Sequence, residues 1–332
     1  MRTTWKGLCL WLVLAASLMA AGCGRKTETS TEQTPGKALS GTIRVSGAWA
    51  LYPMMVKWGE EFGKIHPAVH IDVSAGGAGK GAADALKGMV DIGMVSREVR
   101  PEEIQQGGVF VPAVKDAVFP TINEANPALQ KGEGTGEDRP QLCIRRSVFA
   151  AVFIEGRGMT WGEVFGTALA EKVRPYTRSD SCGAAETWAK YLGGAQEDLK
   201  GVGVYGDPGL AEAVRQDVLG MGYNNLNFAY DAATGQPVKG LYVVAIDVNE
   251  NGKCDPEEDL ATKDKAIQAI KSGAYPSPPA RDLYLLTKGG FTGVTREFVR
   301  WILTDGQAFA LEVGYIRLTD TQIEGALLKL GQ

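Results

Sequence analysis

Between residues 42 and 95 the chain alternates three short strand-like runs with two helical ones, and this alternation constrains the fold more than any other feature. Residues 42–45, 70–73 and 91–95 have strand composition, 53–64 is an amphipathic helix, and 81–87 forms a second helix after a glycine turn. Strands separated by helices at this spacing imply an α/β fold with a mostly parallel sheet and helical covers. Such sheets take ligands beyond the carboxyl ends of their strands. Here those ends carry the loops 46–50 and 74–80, with Ser96 and Arg97 after the third strand, so a pocket edge is expected there.

At 176–188 the chain reads Tyr-Thr-Arg-Ser-Asp-Ser-Cys-Gly-Ala-Ala-Glu-Thr-Trp, which places Arg178 and Asp180 just before a segment of helical composition. A helix N-terminus presents unpaired N–H groups and a positive dipole end, which suit an oxyanion. Arg178 would add a forked, permanently charged donor, and Asp180 could hold it in position. An ordinary surface ion pair before a helix fits the same residues. Cys182, at the head of the helix, reads either as a low-pKa thiolate or as a small buried side chain. The run Ala75-Gly-Gly-Ala-Gly-Lys-Gly81 is no nucleotide loop, because Ser74 and Gly81 stand where the first glycine and the metal-holding hydroxyl belong. It can still bring N–H groups close to an anion.

Residues 247–258, Asp-Val-Asn-Glu-Asn-Gly-Lys-Cys-Asp-Pro-Glu-Glu, fit a twelve-residue calcium loop. Asp247, Asn249, Asn251 and Asp255 would supply side-chain oxygens, Lys253 its carbonyl, and Glu258 a bidentate carboxylate, with Gly252 at the sharp turn. The expectation is a lone structural calcium site after a strand at 241–246. Other segments are coarser: a loose polar stretch around 132–137, a helix near 208–217, a turn-rich 220–227, and helices at 295–303 and 306–313. Two histidines, His66 and His70, sit before one early strand, away from Cys182, so catalytic Ser/His/Asp or Cys/His sets find no support. The expectation is no enzyme and no catalytic cofactor.

Arg2 and Lys6 precede an apolar run over 8–20 that is short for a membrane span, so 1–22 reads as an export signal. Its end, Ala20-Ala-Gly-Cys23, resembles a bacterial lipoprotein cleavage box, which implies lipidation of Cys23. Residues 23–40 are polar and read as a flexible tether. Setting the signal aside takes the formal charge from −4 to −6. A nucleic-acid partner is not expected of so acidic a chain, and an anion would have to be met by amides and one arginine. Cys143, Cys182 and Cys254 fix no disulfide pairing by their spacing.

Together the segments resemble the phosphate-binding component of bacterial phosphate ABC importers, within the type II periplasmic binding proteins. The match runs through Ser46-Gly-Ala-Trp-Ala-Leu-Tyr-Pro with Trp58, Gly76-Gly-Ala-Gly, Val90-Asp-Ile-Gly-Met-Val-Ser-Arg, Thr160-Trp-Gly-Glu, Arg178-Ser-Asp-Ser-Cys-Gly, Tyr275-Pro with Arg281-Asp-Leu-Tyr, and 306–316. The resemblance implies a two-lobed fold with a ligand cleft between lobes, helices on both sheet faces, lobe 1 at 41–118 plus 280–332, and lobe 2 at 119–279. It implies phosphate or a related oxyanion as ligand, a membrane permease as partner, and a monomer anchored by lipid on the periplasmic or extracellular face of the cell membrane. The expected ligand-binding set is Ala48, Trp49, Ala50, Gly77, Ala78, Gly79, Ser96, Arg178, Asp180, Cys182, Gly183 and Ala184. Where the family places ligand-binding hydroxyls this chain has Trp49, Ala78, Cys182 and Ala184, and Ser96 replaces a carboxylate found in some relatives. A sensor or scaffold with a changed ligand is the alternative these departures leave open.

Overall fold

The structure, a computed structural model, describes residues 39–130 and 141–331. The expected signal, Cys23, almost all of the tether and the loose segment at 132–137 lie outside the described residues.

The three expected strands form as β1 (Gly41–Gly47), β2 (Val69–Ala75) and β3 (Ile92–Val95), with β1 in the middle and parallel to both. The helix Tyr52–Ile65 buries Met54, Met55, Trp58 and Phe62 at helical spacing against them. The second helix, Ala78–Leu86, begins three residues earlier than its composition suggested. Its small residues let it lie flat on the sheet: Ala78, Gly81, Ala82 and Ala85 are all buried.

The remaining strands are β4 (Gly108–Asn123), β5 (Cys143–Arg145), β6 (Arg174–Arg178), β7 (Val202–Val204), β8 (Gly220–Asn225), β9 (Leu241–Val243), β10 (Ala245–Asp247) and β11 (Ala280–Lys288). Among the described residues, one nine-stranded sheet runs β2-β1-β3-β11-β4-β8-β6-β7, with β9 also on β4. Its two ends are parallel, while β11 pairs antiparallel with both β3 and β4, and β4 with β8. The fold is therefore α/β with parallel wings joined by two antiparallel crossover strands.

Among the described residues two large hydrophobic cores sit on this sheet, beside a small third cluster of Ala211, Val214 and Leu241. The first gathers Ile43, Val45, Trp58, Met94, Val111, Val114, Leu283, Leu285 and the helices near the C-terminus. The second gathers Ala117, Phe119, Phe149, Phe153, Trp161, Trp188, Tyr223 and Ala280. The change-over falls on β4 between Val114 and Ala117, and on β11 between Ala280 and Leu283.

Two expectations are corrected. The stretch 220–227 is no turn: its first six residues are β8, buried throughout. Its glycines serve packing, since a Cβ at Gly222 would lie 2.7 Å from a Val214 methyl on the helix Gly206–Gln216. The strand at 241–246 divides into β9 on β4 and β10 beside β5.

Candidate functional site

The loops at the ends of β1, β2 and β3 meet the segment after β6. Gly47 ends β1, and its carbonyl accepts the amides of Gly76 (2.9 Å) and Gly77 (3.0 Å), drawing the glycine turn against the first loop. The amide of Ala48 goes to the Met94 carbonyl at 2.9 Å. Two expected anion donors, the amides of Ala48 and Gly77, are thus committed within the scaffold. Those of Ala78 and Gly79, in the first turn of Ala78–Leu86, have no acceptor inside the helix. Gly77 has φ +91°, and a Cβ there would stand 2.6 Å from the Ser181 carbonyl. The glycine turn therefore touches the Arg178 segment directly.

Arg178 closes β6, and its side chain is fully enclosed. Its Nε and Nη2 donate to Asp180 at 2.8 and 2.6 Å, and its Nη1 donates to Asp207, at the head of the helix Gly206–Gln216. Burial works against the charge, but Asp207 and Asp180 outweigh it and hold the guanidinium protonated. The surface-pair reading of Arg178 is excluded by this enclosure. Asp180 Oδ1 also accepts the Gly206 amide at 3.2 Å, and its carbonyl accepts from Gln196 at 2.8 Å.

The helix Gly183–Leu192 follows. Cys182 caps it: Sγ accepts the Ala185 amide at 3.4 Å, and the Cys182 amide donates to Gln196 at 3.1 Å. Burial pushes this thiol up to about 12. The low-pKa thiolate reading is corrected, because desolvation outweighs the nearby Arg178 charge and Cys182 acts as a buried cap. Gly183 and Ala184 keep first-turn amides without helical acceptors. Gly183 lies on Ser96: a Cβ there would be 2.0 Å from the Ser96 carbonyl and 2.3 Å from its hydroxyl.

Trp49 stands across the same region. Its ring meets Tyr205 edge-on at 6.2 Å, a Cβ at Gly206 would touch it at 3.4 Å, and its indole N–H is buried without an acceptor. Ala50 is buried beside it, and its carbonyl accepts the Tyr315 hydroxyl at 2.7 Å. Trp49, Gly77, Gly79, Ser96, Asp180 and Gly183 therefore meet where residues of the two cores touch, with Ala48, Ala50, Ala78, Arg178, Cys182 and Ala184 close to them in the chain.

A second layer, without a local signal in the sequence, lies behind Arg178. Asp207 Oδ2 accepts Asn225 Nδ2 at 2.5 Å, and Asn225 Oδ1 accepts Arg281 Nη2 at 2.5 Å. Arg281 Nη2 also faces Asp116 at 3.3 Å, and its Nε donates to the Ser96 carbonyl at 2.7 Å. Only Asp180 lies near Arg178 in sequence; Asp207 arrives on the helix Gly206–Gln216 and Asp116, Asn225 and Arg281 on β4, β8 and β11, and no local spacing announces them.

The loop 247–258 stands apart from this site. Asp247 accepts the amides of Asn251 (3.0 Å) and Gly252 (2.8 Å), while Glu258 accepts those of Val248 (2.8 Å) and Asp255 (3.1 Å). Asn249 and Asn251 both donate to Asp255, at 2.7 and 2.9 Å. Among the described residues no group of three or more His, Cys, Asp or Glu side chains is gathered for a metal ion. A Cys143–Cys254 disulfide ties the loop to β5, leaving Cys182 free.

The chain is similar to known proteins over most of its length. A family model described as the PBP superfamily domain matches residues 32–306. The Phosphate-binding protein PstS of Bacillus subtilis is 26% identical over 324 residues, covering 95% of each chain. Its namesake in Methanocaldococcus jannaschii is 25% identical over 374 residues, covering 95% of this chain and 91% of its own. Among solved structures, a Clostridium perfringens protein with bound phosphate superposes with a TM-score of 0.67 at 19% identity, over 84% of this chain and all of that one. An ABC-type phosphate transport receptor from Vibrio cholerae gives 0.59 at 18% identity, over 82% and 99%. The fold is that of the type II binding proteins, and the family resemblance seen in the sequence stands.

Proposed function

The chain belongs to the PBP superfamily, and from that premise we propose that it is the solute-binding protein of an ABC importer, taking phosphate or a similar oxyanion where its two cores meet. The observation that carries this reading is the meeting, at the segment 178–181, of two helix N-termini from different cores, Ala78–Leu86 and Gly183–Leu192. Arg178 with Asp180 and Asp207 sums to one negative charge, so the guanidinium orients the ligand while the first-turn amides of Ala78, Gly79, Gly183 and Ala184 meet its charge. Ser96 adds a hydroxyl. The unpartnered indole N–H of Trp49 offers a donor in place of the hydroxyls that the family pattern would supply. The mechanism is binding without chemistry: a ligand touching both cores favours the closed arrangement of two lobes, 41–118 plus 280–332 and 119–279.

The rest of the reading follows from this role. A lipid on Cys23 would hold a monomer at the outer face of the cell membrane, within reach of its permease. Among the described residues no helix is long and apolar enough to cross a membrane.

Isothermal titration with phosphate tests the site. Wild type is expected to bind, and Arg178→Lys, which keeps the charge but not the fork, to bind at least about tenfold more weakly, since one bond to a charged group is worth about 1.5–3 kcal/mol. Equal affinity in the two would refute the assignment. Silence of the wild type toward phosphate, sulfate and arsenate would instead favour a sensor on the same fold.

For the loop 247–258 we propose calcium, with Asp247, Asn249, Asn251, Asp255 and Glu258 turning their oxygens from loop amides to the ion and Lys253 giving its carbonyl. The Cys143–Cys254 bond and the amide of Ser147, which donates to Glu250 at 2.9 Å, already hold the loop against its neighbours. A site at a hundred times its dissociation constant adds about 2.7 kcal/mol. Thermal unfolding is therefore expected to rise on adding millimolar calcium and to fall back with chelator, and Glu258→Gln to remove the rise. A melting temperature indifferent to calcium would exclude the site.

A further inference from the structure

We propose that Arg281 is a positioning residue that sets the two halves of the anion cradle against each other, holding the Ser96 backbone with one edge of its guanidinium and, through Asn225 and Asp207, Arg178 with the other. The proposal rests on the phosphate-binding reading of the same site and adds a residue that acts through protein groups, with Nε and Nη2 committed to them and Nη1 buried without a partner.

Arg281 lies on β11, one of the two crossover strands, opposite Asp116 of β4. Its side chain is 8% exposed, and each bonded edge has a distinct task. Nε donates to the Ser96 carbonyl at 2.7 Å, fixing the loop that follows β3 in the first core. Nη2 donates to Asn225 Oδ1 at 2.5 Å, at the end of β8 in the second core. Asn225 Nδ2 then donates to Asp207 at 2.5 Å, and Asp207 accepts from Arg178. The order of charges leaves no freedom in this chain. A group between a carboxylate and a guanidinium must donate to one and accept from the other, which a primary amide does and neither an ionised Asp nor Leu can do. Asp116 completes the anchor at 3.3 Å from Nη2 and also accepts the Leu226 amide at 3.2 Å, next to Asn225.

A planar, rigid fork carries this geometry, whereas a lysine places a single point of charge. Arg281→Lys should keep a cation beside Asp116 yet lose the simultaneous hold on Ser96 and Asn225. Asn225→Asp changes one atom of the relay and turns an acceptor–donor bridge into a second carboxylate facing Asp207. The two substitutions act on one chain of bonds, so their effects should not add.

Phosphate titration of wild type, Arg281→Lys, Asn225→Asp and the double variant tests the relay, with thermal unfolding of each and Asp282→Asn as a neighbouring control. Each single variant is expected to lose about tenfold or more in affinity, the double to lose little beyond the worse single, and the control to match wild type. Wild-type affinity in a folded Arg281→Lys protein, or losses that multiply in the double variant, would overturn the relay while leaving the phosphate reading intact. If Arg281→Lys does not fold, a wild-type affinity for Asn225→Asp alone overturns it. Absence of phosphate binding by the wild type would instead defeat the underlying reading.

Discussion

Arg178 shows what a local motif can and cannot disclose. Its pairing with Asp180 was legible because the two are separated by one residue ahead of a helix, but Asp207 and Asn225 are 29 and 47 positions further on and meet it only through folding. Their arrival changes the electrostatics, since two carboxylates on one arginine would leave the proposed anion to the peptide dipoles. Asp116 carries a separate consequence. Burial raises its carboxyl to about 6, against the pull of Arg281 and two backbone amides. An acid that holds its proton more tightly when folded contributes stability below its unfolded pKa of about 4, and that contribution is lost as pH rises toward the folded value. Asp116→Asn should therefore gain on wild type between about pH 4 and 6, with the difference level above that range. Denaturant titrations across this span check it, and a difference independent of pH would contradict the assignment.

Elements with a clear period were the most legible. The apolar spacing over 53–64 and the β-branched runs at 42–45 and 70–73 settle into the helix Tyr52–Ile65 and strands β1 and β2 with boundaries moved by a few residues. β8 escaped notice because Gly220-Met-Gly-Tyr-Asn-Asn has turn composition, while its small residues in fact admit the helix Gly206–Gln216 and Asn225 serves the buried polar chain. Glycine at the head of the helix Gly183–Leu192 follows the same logic. Alanine suits a helix better, but at 183 its methyl would strike the backbone of Ser96. Ser96 and Gly183 border different cores, so the least costly relief is to part them. Gly183→Ala is expected to unfold near the wild-type temperature and to bind phosphate at least about tenfold more weakly. An unchanged affinity would mean that the contact has no part in closure.

At the scale of the whole molecule, two cores share one sheet and are linked by β4 and β11, the strands that also carry Asp116 and Arg281. The parallel wings were legible from strand–helix alternation. The antiparallel crossover was not, because β11 joins β3 and β4 from far along the chain, and its place in the sheet is decided by packing. Neither was the Cys143–Cys254 bond, which depends on β5 lying beside β10. On the proposed mechanism an oxyanion stabilises contact between Gly77 and Ser181, Ser96 and Gly183, and Trp49 and Tyr205. Small-angle scattering of the protein with and without saturating phosphate tests that mechanism most directly. The radius of gyration should contract when phosphate is added to wild type, and the same contraction in a folded Arg178→Lys variant should need at least about tenfold more phosphate; a wild-type profile identical in both conditions, with binding verified by titration, would contradict closure on the anion.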